Sequence, residues 1–217
     1  VPGANVPAEI LKISPEEPDP QVLRYAAGFI LSGQVVSVPT DTLYGLAADP
    51  FNLAAIQQIY AIKGRQEQKP LPILVSSLEQ AVVLVRDVPD AFLKLARKFW
   101  PGALTLVMDA SHRIPLKVTG NSGRVALRWP NSRVACGLIE MAEMPLTGTS
   151  ANLSGFAPCS SAEQVLKQMG DRLPLILDSG DTGETLASTI VDLRGEEWRI
   201  LREGHVSEEQ IRKEIED

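Results

Sequence analysis

The sequence predicts a single α/β domain, α+β-like in its second half, built on a twisted mixed β-sheet. Three observations carry this. Amphipathic helical stretches alternate with short β-branched runs over most of the chain. Towards the end, strand-like runs follow one another without intervening helices, which excludes a regularly alternating parallel barrel. No internal repeat or low-complexity linker divides the 217 residues, a length that buries a substantial core.

Residues 1–18 are rich in Pro and Glu and are expected to form an N-terminal arm, leaving 19–217 as the domain. Asp19-Pro20 reads as an N-cap followed by proline at the first helical position. Val22, Leu23, Ala26, Ala27, Ile30 and Leu31 then recur at helical spacing, and Gly33 ends the helix. A strand over 34–38 follows, so Pro39-Thr40-Asp41-Thr42 lies where it gives out. Asn52 can cap a second helix, with Ile56, Ile59 and Tyr60 on one face, which ends at Lys63-Gly64. Strands are expected over 71–75, 104–108 and 125–129, and helices over 78–86, 89–99 and 132–142. Capping boxes at Ser161-Ala162-Glu163-Gln164 and Ser207-Glu208-Glu209-Gln210 open two more helices. Between those boxes, 175–177, 189–193 and 198–201 read as strands.

Composition narrows the functional classes. A net charge of −6 argues against a protein whose whole surface clings to nucleic acid, though not against a local basic cleft. Cys136 and Cys159 have neither metal spacing nor a disulfide framework, which suits a reducing cytoplasm. His112 and His205 are too few to anchor zinc. Nothing approaches the roughly 20 apolar residues of a membrane span, and no basic segment leads into an apolar core as in a secretory signal.

The chemistry-bearing residues cluster in short segments. Lys63-Gly64-Arg65 places two cations at a helix end, where basic residues also complement the helix dipole. Arg65 beyond the glycine, with Lys69 soon after, makes a cationic loop that suits a polyphosphate. No Walker sequence occurs, so a bound nucleotide would not sit on a P-loop. Ser150-Ala151-Asn152 sets a hydroxyl and an amide in a turn after the apolar run Met144-Pro145-Leu146. Ser150 could also be a nucleophile with Lys63 as its base, which keeps an amidase-like hydrolase open. Arg124 and Arg128 are four residues apart on a strand and so share one face. Arg202 closes the last strand, and Ser188-Thr189 opens the one before it. Asp41, Asp178 and Asp181 are candidate magnesium contacts, although acidic residues in turns are commonplace.

The strings Val38-Pro39-Thr40-Asp41-Thr42-Leu43-Tyr44-Gly45-Leu46, Lys63-Gly64-Arg65 and Trp100-Pro101-Gly102-Ala103-Leu104-Thr105 occur in order. They are followed by Val125-Ala126-Leu127-Arg128, Thr149-Ser150-Ala151-Asn152-Leu153-Ser154-Gly155, Ser188-Thr189-Ile190 and Leu201-Arg202-Glu203-Gly204. Together they resemble the YrdC-like family, the L-threonylcarbamoyladenylate synthases, from about residue 20 to 210. The resemblance implies a nucleotidyltransferase that makes threonylcarbamoyl-AMP and pyrophosphate from L-threonine, bicarbonate and ATP with Mg2+. The product would feed a downstream threonylcarbamoyl-transferase complex that modifies tRNA. It also implies a mixed sheet around a large positively charged cavity, related to dihydroxybutanone-phosphate synthases.

By position, the resemblance makes Lys63, Arg65, Arg124, Ser150, Asn152 and Arg202 the ATP-side residues. Lys63, Arg65, Ser150 and Asn152 are the catalytic set among them. Thr40, Arg128, Gly148 and Ser188 fall on the threonine side. One departure matters: Pro158 stands where the family often has a serine that can contact ATP, so that contact is expected to be lost or moved to Ser160.

The rivals are the Ser–Lys hydrolase and a non-catalytic double-stranded RNA-binding module. Weak binding of tRNA or double-stranded RNA, known in the family, stays open for so acidic a chain. Only a capped helix over 207–216 follows Arg202-Glu203-Gly204, so no separate lid is expected, and the product should escape into solution.

Overall fold

The computed structural model describes residues 7–183, 186–195 and 197–216. The helices start where their caps predict. The Asp19 carboxylate accepts the Gln21 N–H at 2.8 Å and Pro20 opens α1 (Pro20–Leu31). Asn52 accepts from Ala54 and Ala55 to start α2 (Leu53–Lys63), which ends on Gly64 at φ 57°. Gly64 N–H bonds Ala61 O and Arg65 N–H bonds Tyr60 O, closing a Schellman motif that aims Arg65 away from the helix axis. Shorter helices follow at α3 (Leu78–Val82), α4 (Asp90–Phe99), α5 (Arg133–Ala142), α6 (Ala162–Met169) and α7 (Glu208–Glu216).

The strands form two mixed sheets rather than one. The first has the order β1 (Glu9–Lys12), β9 (Leu175–Asp178), β2 (Val36–Val38), β3 (Gly45–Ala47), β8 (Thr149–Ser150). The second runs β11 (Arg199–Arg202), β10 (Thr189–Asp192), β5 (Leu104–Asp109), β6 (Arg124–Arg128), β4 (Ile73–Leu74), β7 (Leu146–Thr147). The expected arm is therefore only partly an arm. Ile10-Leu11 and their neighbours pair in parallel with β9, Glu9 opposite Leu175 and Lys12 opposite Asp178. A four-residue strand disappears in a composition averaged over eighteen Pro- and Glu-rich positions, and the open edge of β9 draws it in. Residues 1–6 of that arm lie outside the described residues.

Two apolar layers hold these sheets. Leu23, Ala27 and Ile30 of α1 meet Leu138 and Ile139 of α5 over Val36, Val38, Leu175 and Leu177 of the first sheet. Ile56, Ile59, Phe92, Leu95 and Val165 pack with Leu104, Leu106 and Leu127 of the second. Each such side chain contributes about 1.5–3 kcal/mol through burial. Trp100 ends α4 as an anchor: its ring meets Phe92 edge-on at 5.7 Å and its indole N–H donates to Leu104 O at 2.7 Å. The Trp100–Pro101 peptide is cis. No helix among the described residues is long and apolar enough to cross a membrane.

Alternation along the second sheet is what places the site. Leu104, Leu106, Val125 and Leu127 point into the core. Thr105, Val107, Arg124, Ala126 and Arg128, which alternate with them, face a cleft below the first sheet.

Candidate active site

The cleft is a cavity of about 310 Å³. Its floor comes from β5, β6 and β10. Its roof comes from the β2–β3 connection (Thr40, Thr42, Leu43, Tyr44) and from Gly148, Thr149 and Ser150. The antiparallel pairing of β3 with β8, Gly45 opposite Ser150, joins the two roof segments. Of the residues expected at the site, Thr40, Arg65, Arg124, Arg128, Gly148, Ser150, Ser188 and Arg202 all line it. Lys63 and Asn152 do not.

Four guanidinium groups reach the wall, each held differently. Arg128 is 7% exposed, donates to Gly102 O at 3.0 Å and Thr42 Oγ1 at 2.9 Å, and pairs with Asp41 at 2.5 Å. Trp100-Pro101-Gly102 therefore does more than stop a helix, because it presents a carbonyl to this arginine. Arg202 donates to Ser188 O at 2.7 and 3.0 Å and to Ser188 Oγ at 3.0 Å, while that hydroxyl also meets Thr105 Oγ1 at 2.8 Å. Burial, and then the charge of Arg128, lower the pKa of Arg202, yet arginine stays charged. Arg65 donates to Pro70 O at 2.9 Å and Thr149 Oγ1 at 3.3 Å, leaving its buried Nε–H without an acceptor. The Arg124 guanidinium has no protein partner among the described residues. Among the described residues, Asp41 is the only carboxylate that pairs with any of the four. Such a wall favours a multiply charged anion.

Lys63, expected among the ATP-side residues, is instead buried off the wall at 3% exposed. Its Nζ donates to the backbone oxygens of Ser150 and Asn152, the latter at 2.8 Å, and to Asn152 Oδ1 at 3.3 Å. Asn152 is also a brace, with Nδ2 donating to Leu153 O at 2.9 Å and Phe156 O at 2.8 Å. These bonds disfavour the Ser–Lys dyad. Ser150 Oγ donates to Asn152 Oδ1 at 2.6 Å, and Nζ meets the serine carbonyl rather than its hydroxyl. Burial does lower the Lys63 pKa to about 8, towards the range of a general-base lysine, so it is the hydrogen-bond geometry and not the protonation state that argues against the dyad.

Gly148 is required by close packing, since a Cβ there would collide with the Leu74 side chain. Ser160 stays off the wall: its N–H donates to Gln164 Oε1 at 2.9 Å and its carbonyl accepts from Thr182. Asp178 and Asp181 accept from the Gly180 and Gly183 amides, the ordinary use of acids in turns. Among the described residues no three His, Cys, Asp or Glu side chains come together, and Asp41 is engaged with Arg128.

Sequence reasoning missed Thr42, Tyr44, Thr105 and Thr149 as wall residues. Period-two alternation flags Thr105 once its strand is known to neighbour Arg124 and Ser188, but that neighbourhood is not written locally. Tyr44 reaches across the roof, its hydroxyl donating to Gly180 O at 2.7 Å.

A family model named for Sua5, YciO and YrdC, and described as "Telomere recombination", matches residues 28–204. A Pyrococcus abyssi protein named threonylcarbamoyl-AMP synthase is 40% identical over 89% of this chain and 57% of its own length. A Mycobacterium tuberculosis protein named putative threonylcarbamoyl-AMP synthase is 41% identical over 86% of this chain and 85% of its own. The crystal structure of P. abyssi Sua5 complexed with L-threonine superposes with a TM-score of 0.93 at 38% identity, covering 96% of this chain and 61% of that one. The chain thus spans little more than half of the Pyrococcus relative. Identity of this extent, over a fold that matches throughout, shows that the chain belongs to the Sua5/YciO/YrdC family.

Proposed function

We propose that this domain makes threonylcarbamoyl-AMP and pyrophosphate from L-threonine, bicarbonate and ATP. The observation that carries it is the meeting of four guanidinium groups with Thr40, Ser150 and Ser188 in one cleft. The names of the relatives, and the threonine bound in the Pyrococcus structure, supply the substrate. The threonine nitrogen combines with bicarbonate carbon, losing water, to give a carbamate. A carbamate oxygen then attacks the α-phosphorus and pyrophosphate leaves. No covalent enzyme intermediate is needed, so the wall's task is to bring two anions together and stabilise charge on the phosphates. Magnesium enters as part of the ATP substrate. Free Cys136 and Cys159 accord with a cytoplasmic setting, in which a transferase acting on tRNA consumes the product.

ATP turnover is expected to require both threonine and bicarbonate, with threonylcarbamoyl-AMP detected by mass spectrometry. AMP release at an equal rate without either would sink the proposal. Valine, which lacks the hydroxyl, should be poorer than threonine in kcat/KM by on the order of 100-fold or more, because it leaves polar wall groups unpaired. Equal efficiency would remove Thr40 and Ser188 from substrate recognition.

A further inference from the structure

We propose that Lys63 is a positioning residue: from behind the cavity wall its ammonium holds the segment 150–154 in the shape that presents Ser150 to substrate. Where activity is the readout, this rests on the synthase reading above. Both ends of the residue grip that segment. The Lys63 carbonyl accepts the Ser154 N–H at 2.9 Å, while Nζ takes Ser150 O, Asn152 O and Asn152 Oδ1. Three N–H bonds thus meet three acceptors, the full donor capacity of an ammonium. The chain of contacts ends at the site, because Asn152 Oδ1 also receives the Ser150 hydroxyl. Lys63 itself contributes nothing to the wall.

This role depends on the proton. Burial, and then Arg65, lower the Lys63 pKa to about 8, with the Cys159 thiol opposing. Cys159 is itself pushed up to about 11 and stays neutral when Lys63 titrates. Those are the titratable groups facing Lys63, and among the described residues no carboxylate pairs with it. Deprotonation leaves two N–H groups for three acceptors, so the segment loosens above about pH 8. Global stability moves the other way. The folded pKa is depressed below the model value of 10.5, so this group's stabilisation is complete above the unfolded value and is lost as pH falls through the folded one. Alkaline loosening of the segment is therefore not unfolding.

Hydrogen exchange of the ligand-free protein, its Lys63→Met and Lys63→Arg variants, and their kinetics test this. In Lys63→Met, peptides covering 150–156 should exchange about 10-fold or more faster, while α1 is unchanged. Wild type should show the same loosening, corrected for intrinsic exchange, as pH rises through about 8. Lys63→Arg, whose charge does not titrate, should keep the segment protected, and the ratio of wild-type to Lys63→Arg turnover should fall over the same range. Unchanged protection in Lys63→Met together with a raised KM for ATP would overturn the proposal and put Lys63 on the nucleotide. Should the arginine not fit, exchange in Lys63→Met decides alone, and unchanged protection of 150–156 refutes the proposal. Because exchange is read without substrate, its failure is distinct from failure of the synthase reading.

Discussion

Arg65→Ala should cut turnover by roughly 30- to 1,000-fold, a loss of about 2–4 kcal/mol of transition-state stabilisation. This arginine carries a buried Nε–H with no protein acceptor beside a cavity whose other cations leave room for an anion. A phosphate oxygen would meet the terminal N–H groups not taken by Pro70 O and Thr149 Oγ1, and within a half-buried wall that bond is worth far more than in water. The loss should appear in kcat/KM for ATP, with the thermal midpoint moving by only a few degrees, since the bonds given up are those to Pro70 O and Thr149 Oγ1. Near-normal turnover would return Arg65 to the role of a helix-end charge. Arg124→Ala, removing a guanidinium without protein partners, should likewise lower activity and leave stability within about 0.5 kcal/mol.

The largest effect on stability is expected at Arg128. Replacing it with Met removes the partner of Asp41 and leaves Thr42 Oγ1 and Gly102 O without their donor. The side chains of the ion pair are 8% and 15% exposed, so the stranded carboxylate is poorly hydrated. The cost should be about 3–5 kcal/mol by urea unfolding. Adding Asp41→Asn to Arg128→Met should restore a good part of it, because the stranded charge is gone. A double variant no more stable than the single would mean that lost packing, not the uncompensated charge, sets the cost.

The helices were legible because their signals are local. Asp19-Pro20, Asn52, Ser161 and Ser207 each cap within three residues of themselves, and the Schellman end at Gly64 needs only its own turn. Strands were less so. Gly45–Ala47 contains no β-branched residue, and Thr149–Ser150 is two residues long. Gly45–Ala47 becomes a strand by pairing with nearby Val36–Val38 on one side and with Thr149–Ser150, about a hundred positions away, on the other, and Thr149–Ser150 has only that distant partner. The single expected sheet became two for the same reason: pairing partners are chosen by packing between distant segments.

The site divides along the same line. Residue type and strand period were enough to put fixed cations at Arg65, Arg124, Arg128 and Arg202 and to set Arg124 and Arg128 on one face. Which cation meets solvent, which is locked to a carboxylate and which is turned inward could not be read. Lys63 and Arg65 are two residues apart, yet one grips the 150–154 segment from behind and the other opens onto the cavity. Caps and periods by themselves determined the helices, and charges the cationic character of the short segments, because each acts over a few bonds or one turn; the family resemblance rested on the ordered motif strings. Only the tertiary structure decided the register of β3 against β8, and with it the acceptors that surround Lys63. Those acceptors come from a segment some ninety residues away, and the energy of burying a charge depends on what is packed around it, not on its neighbours in the chain.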